Sequence, residues 1–259
     1  MAFYVVQFLT GLASAASLFL VASGLSIIFG VTRIVNFAHG AFYMLGAYIA
    51  FSLTERLDGA LGFWGGLLIA AVATAALGIL LEILLLRRIY QAPELFQLLA
   101  TFGVTLMVED LVVLIWGPED LVGRRAPGFR GAVDVFGQAL PSYDLFLIVL
   151  GPLVLGLIWL LFHRTRWGVL VRAATQARTM VAALGVNQKW LFTGVFGLGI
   201  FLAALGGALQ LPREAVSHGM DLRIIVEVFV VVVIGGLGSV FGAYVAAVLV
   251  AELNAFGIL

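Results

Sequence analysis

The chain has 259 residues, 63% of them hydrophobic and 11% charged, with 14 basic side chains set against 14 acidic ones. Long windows without any charge exclude a soluble domain of ordinary size and point to an all-α, polytopic membrane protein. The absence of cysteine excludes disulfides, thiolate metal sites and a cysteine nucleophile together.

Residues 1–10 lack a basic n-region, and no small-residue cleavage site leads into a soluble domain, so the first apolar run reads as a retained helix over about residues 7–29. At Gly30 the pattern breaks into a polar passage with Arg33, Asn36, His39 and Gly40, then resumes as a shorter apolar helix to about residue 54. Unpaired backbone at membrane depth is tolerated only where protein or a water-filled path covers it, so a permeation route is the leading reading. A plain cytoplasmic turn, with Arg33 and His39 in headgroup water, is the alternative.

A third helix spans about residues 62–86, with Gly62 and Gly66 suited to close helix packing, and Arg87 and Arg88 stop it. The fourth, residues 96–116, opens on Leu99-Ala100-Thr101-Phe102-Gly103. Residues 117–142 balance Arg124, Arg125 and Arg130 against Glu119, Asp120 and Asp134 and read as a surface loop. A fifth helix, residues 144–162, leads into the most basic interval, 163–189, where Arg164, Arg166, Arg172, Arg178 and Lys189 occur without an acid. The positive-inside rule places that interval in the cytoplasm, Arg87 and Arg88 with it, and the 117–142 loop outside.

Within it, Leu170, Ala173, Ala174, Ala177, Val181 and Leu184 recur at helical spacing, opposite Arg172, Gln176 and Thr179, and Gly185 closes the run as a C-cap. Such an amphipathic helix either docks into a partner or lies on the membrane surface. A sixth helix, residues 191–211, carries Thr193, Gly197, Ala203 and Gly207 at packing spacing, and residues 212–223 form an outer loop. The last apolar region, residues 224–256, is interrupted at 235–239; it is too long for one straight crossing and too short for two with a turn, so it reads as two half-length or tilted pieces. The run Leu45-Gly46-Ala47-Tyr48-Ile49-Ala50 echoes Phe241-Gly242-Ala243-Tyr244-Val245-Ala246, each at the same distance from a glycine, Gly40 or Gly236. Paired interrupted segments point to a midplane site in a transporter, and a chance match between glycine-rich helices is the competing account. The whole amounts to about eight transmembrane or half-membrane helices with two interrupted segments.

Among membrane charges, Glu109 and Asp110 either face a polar path or sit in water at the outer end of the fourth helix, the latter being preferred. Glu82 reads as solvated beside Arg87, Arg223 and Glu227 as an i,i+4 pair, and Glu252 as having no sequence partner. His39, His163 and His218 fall in separate intervals, so no metal site is expected. No hydrolase motif occurs, and no GxxxxGK[ST] phosphate loop, so an ATP motor would reside on another chain.

Taken together the chain resembles the branched-chain amino-acid ABC transporter permeases of the LivH type. The resemblance rests on Gly24 to Tyr48 (with the core VTRIVNFAHG), Leu99 to Gly103, Arg172 to Gly207 and Val233 to Tyr244. It implies one transmembrane permease domain over residues 1–259 that performs no covalent chemistry and holds no cofactor or metal. Its expected setting is a bacterial inner membrane, with a second permease, two cytoplasmic ATP-binding subunits and a periplasmic solute-binding protein as partners and no nucleic acid. The expected path lining is Asn36, Phe37, His39, Gly40 and Tyr43, with Thr101, Gly103 and the break at Gly235, Gly236, Gly238 and Ser239. Arg172, Ala173, Ala174, Ala177, Arg178, Leu184 and Gly185, inside a coupling loop of residues 163–190, resemble the helix seated in an ATPase subunit. Two features depart from the family: its members usually continue beyond Leu259 through another apolar segment, which points to a C-terminally shortened form, and Glu109-Asp110 stands where neutral polar residues are expected. A stand-alone secondary transporter or channel, with an ion site among Glu109, Asp110, Glu227 and Glu252, is the second reading.

Overall fold

A computed structural model describes residues 2–90 and 92–257, except for the side chains of Arg178 and Thr179. It is built almost wholly of helices. In chain order these are α1 (Ala2–Thr32), α2 (Ala38–Arg56), α3 (Gly59–Leu81), a π-helical turn (Glu82–Leu86), α4 (Arg87–Ile89), α5 (Glu94–Trp116), α6 (Ser142–Arg164), α7 (Arg166–Gln176), α8 (Arg178–Ala183), α9 (Gln188–Gln210), α10 (Met220–Gly235) and α11 (Val240–Gly257). Six of the described helices are long and apolar enough to cross a membrane, α3 counting with its continuation to Ile89. The helices α2 and α10 are the shorter companions of the two interrupted segments.

α1 is the axis of the bundle. Its most apolar window is 83% buried, that of α9 is 72% buried, and no other spanning helix exceeds 33%. A helix buried on all sides must be narrow wherever others cross it, because lipid tails are as apolar as leucine and association rests on close packing. Small residues meet that need. A Cβ on Gly24 would lie 2.4 Å from the Gly199 carbonyl oxygen, and one on Gly207 only 2.1 Å from that of Tyr43. The Ser17 hydroxyl donates to the Gly206 carbonyl at 3.2 Å across the same seam.

Three expectations are corrected here. The first break lies at Arg33, not Gly30: α1 continues to Thr32, Arg33 adopts the left-handed conformation (φ 58°), and residues 33–36 are non-helical. Gly30 is helical and serves close approach, since a Cβ there would sit 3.1 Å from Gly238 Cα. Secondly, Arg87 and Arg88 do not stop the third span, which runs on through the π turn to Ile89. Thirdly, the amphipathic segment is two helices, α7 and α8, separated at Ala177 (φ −141°, ψ 72°).

Both ends of the bundle are tied by polar contacts. On the side away from the basic segment, Arg124 holds Glu55 at 2.9 Å and Asp58 at 3.3 Å, Leu121 and Val216 form an isolated bridge, and Arg213 pairs with Asp144 at 3.2 Å. The surface loop of residues 117–142 also contains a hairpin, β1 (Ala132–Val135) against β2 (Gln138–Pro141). Its two-residue turn is Phe136-Gly137, both at positive φ, and the Asp134 carboxylate accepts from the Gly137 amide at 2.7 Å. Such turns are usually announced by Asn-Gly or Asp-Gly, neither of which stands at this turn.

Candidate functional site

The passage between α1 and α2 is a buried polar knot. Asn36 is 1% exposed, and its Oδ1 accepts from the Ala38 amide at 3.2 Å, starting α2 in the manner of an Asx turn. His39, 0% exposed, reaches the Val21 carbonyl of α1 through Nε2 at 2.9 Å. Asn36 Nδ2 and His39 Nδ1 have no hydrogen-bond partner. Phe37 packs on Phe229 of α10 with ring centroids 5.0 Å apart, and Tyr43 is buried. Gly40 lets the first turn of α10 come against α2, for a Cβ there would lie 2.4 Å from the Asp221 carbonyl oxygen.

The other expected lining residues divide between two places. Thr101 of α5 shares a small pocket with Asn36, Thr32, Tyr90 and Gln97. Gly103, two residues on, has nothing within 4 Å of a Cβ position, so no close approach explains it. Across α1, Gly238 and Ser239 line a cleft of about 610 Å³ with Ile27, Pro152, Trp159, Arg172 and Phe241. The lining of that cleft is largely apolar. Gly236 and Gly238 take positive φ (90° and 91°), and the Ser239 hydroxyl accepts from the Gly242 amide at 3.0 Å, which caps α11. Gly235 packs backbone to backbone on Gly242. The last turn of α1 therefore touches the second break through Gly30 and Gly238, while the two breaks open into different spaces.

The basic segment presents a second feature. Thr165 caps α7, its hydroxyl accepting from the Gly168 amide at 3.0 Å, and the Arg172 guanidinium donates to the Phe162 carbonyl. Ala174 and Val181 turn inward, Ala173 is half-buried, and Ala177 and Leu184 face outward, Leu184 being 82% exposed. Arg178 is also among the expected coupling residues, and its side chain lies outside those described. Gly185 (φ 81°) ends α8 with its amide on the Ala182 carbonyl at 2.9 Å and the Val186 amide on that of Val181 at 3.3 Å. That is the paired bonding of a Schellman cap, as the sequence pattern predicts.

Sequence reasoning missed a network at the foot of α3. Glu82, expected in headgroup water, is 0% exposed. Its carboxylate accepts from Thr193 at 2.8 Å and Tyr90 at 3.0 Å and pairs with Arg87 at 3.2 Å, while Arg87 lies 5.6 Å above the Trp190 ring. Thr193 and Trp190 stand in the first turns of α9, just past the Gly185 cap. Nor does Arg223 pair with Glu227: its guanidinium donates to Ser217 and to the Gly219 carbonyl instead. Glu109 is half-buried and Asp110 exposed. Glu252 lies against Gly11 of α1 without a hydrogen-bond partner.

A family model described as the permease component of branched-chain amino acid transport systems matches residues 7–259. Among curated proteins the chain is 28% identical to the high-affinity branched-chain amino acid transport system permease protein BraD of Pseudomonas aeruginosa, over 98% of this chain and 86% of that one. It is 23% identical to the corresponding LivH of Salmonella typhimurium, over 98% and 85% of the two chains. LivM of Escherichia coli is 28% identical over 87% of this chain and 58% of its own length. No solved structure matches.

Proposed function

Because the chain belongs to the family of branched-chain amino acid transport permeases, we propose that it lines half of the translocation path of an ATP-driven importer for a branched-chain or related amino acid. A second, related permease completes the path, two ATP-binding subunits dock on the basic side, and a periplasmic binding protein delivers solute to the other, in a bacterial inner membrane. One observation carries this reading. The α7–α8 pair stands out from the basic side with Met180 69% and Leu184 82% exposed, and a glycine cap holds its end. Large apolar side chains on a short, capped, basic segment suit insertion into a partner's groove. Asn36, His39, Gly40, Tyr43 and Thr101 line the path in this reading, and the Gly235–Ser239 break is its moving joint.

Purification of the chain from its native membrane, followed by mass spectrometry, tests the assembly. Recovery of a second permease and two phosphate-loop ATPases, with ATP-dependent leucine uptake in liposomes, is the expected result. A chain that purifies alone and moves solute without ATP overturns it.

A second prediction concerns the cap. A residue other than glycine in the left-handed region costs roughly 1–2 kcal/mol, and a β-branched one more. Gly185→Val is therefore expected to leave the chain inserted but to lower leucine uptake at least tenfold relative to ATP hydrolysis. Wild-type uptake by that variant would count against the coupling role.

A further inference from the structure

The first turn of α10 holds a carboxyl group the fold does not answer. Asp221 is 1% exposed, and neither carboxylate oxygen has a hydrogen-bond partner. The amides of Leu222 and of Asp221 itself lie near it without closing a bond of normal geometry. His218 and, from α5, Glu109 are within electrostatic reach of it. The Tyr48 hydroxyl of α2 is within electrostatic reach of Asp221, and it too is buried without a partner. Gly40 brings α2 and α10 together, since any Cβ there would strike the Asp221 carbonyl.

Taking a carboxylate out of water without a counter-charge is strongly unfavourable, so such a group persists where function requires it. A fixed cation would normally be supplied by the fold, as Arg213 is for Asp144 and Arg87 for Glu82. Here no Lys or Arg among the described residues forms an ion pair with Asp221. We propose that Asp221, together with the equally buried and unpartnered Tyr48 hydroxyl of α2, is a station for the ammonium group of the solute as it passes along α2 and α10. This rests on the transport reading above and sharpens it. The chain contributes a cation-selective contact, so recognition of the amino group does not belong to the binding protein alone.

The experiment uses the complete transporter in liposomes with saturating binding protein, comparing wild type with Asp221→Asn and Asp221→Glu. An ammonium held by a charge-assisted contact is worth about tenfold to a hundredfold. Asp221→Asn should lower leucine uptake by at least tenfold, and Asp221→Glu should restore a large part of it. The thermal midpoint of Asp221→Asn should be equal to or above wild type, because an unanswered charge is removed. In a second measurement on the complex without binding protein, leucine and leucinamide should raise the midpoint of the wild type, and 4-methylpentanoate, which lacks the amino group, should not. Unchanged uptake in Asp221→Asn overturns the proposal. So does a midpoint that falls in step with uptake, protection by 4-methylpentanoate equal to that by leucine, or protection by none of the three. If wild-type uptake proves independent of ATP, the importer reading fails, while the leucinamide comparison still decides the station.

Discussion

Replacing Arg87 with alanine is expected to destabilise the protein by about 3 kcal/mol, because it strands a carboxylate that water does not reach. Glu82 is 0% exposed, and Arg87 is its only ion-pair partner among the described residues, with 23% of the Arg87 side chain open to solvent. Thr193 and Tyr90 still donate to the carboxylate in the variant, but neither carries charge. The thermal midpoint should fall by about 6–12 °C, at roughly 2–4 °C per kcal/mol for a chain of this size. Changing both partners, Glu82→Met together with Arg87→Met, should recover more than half of the loss, since a buried pair exchanged whole for apolar groups is often close to neutral. A loss below about 1 kcal/mol for Arg87→Ala would mean that the site behaves like an exposed pair.

The second large effect belongs to the joint between α10 and α11. A Cβ on Gly242 would sit 1.8 Å from the Gly235 carbonyl oxygen and 2.9 Å from the Ser239 hydroxyl. The first obstacle is main chain, so no side-chain rotation relieves it, and the two helices must part. Gly242→Ala is expected to cost about 3 kcal/mol, the upper end of ordinary overpacking, and to abolish leucine uptake. Gly103→Ala is the matched control. With nothing within 4 Å of the added methyl, it should be neutral or stabilising by up to about 1 kcal/mol through helix propensity. If Gly242→Ala folds and transports like wild type, the break tolerates opening and the joint is not tight.

These two sites also mark what could be read from the residues in order. The interrupted segments were legible because Arg33, Asn36 and His39, like the glycine run at 235–238, stand out within apolar sequence. The point of the first break was not, because a glycine can serve either chain reversal or close approach, and only the neighbour at Gly238 shows which role Gly30 has. The Gly185 cap was visible from a periodic run ending in glycine, whereas nothing in the residues around Ala177 announces the division of α7 from α8. Glu82 and Arg87 are five residues apart, a spacing at which side chains on an α-helix are not neighbours. The π turn widens the helix locally and brings them to 3.2 Å, and no sequence period signals it. Asp221 falls in the stretch that reads as an outer loop, and only the close approach of Gly40 shows what packs there.

The contact between Gly30 and Gly238 has a kinematic consequence. The end of α1 and the turn before α11 meet where neither residue has a side chain to yield, with a Cβ on either falling 3.1 Å from the other's Cα. Two such surfaces slide past one another or travel as one, but they have no soft padding to compress. A tilt of α11 that widens the cleft at Ser239 thus either slides over the tail of α1 or carries it along, and with it the Asn36 knot on the far side. With no native cysteine to interfere, pairs of labels on the two passages would report the second of these motions as one correlated change in distance.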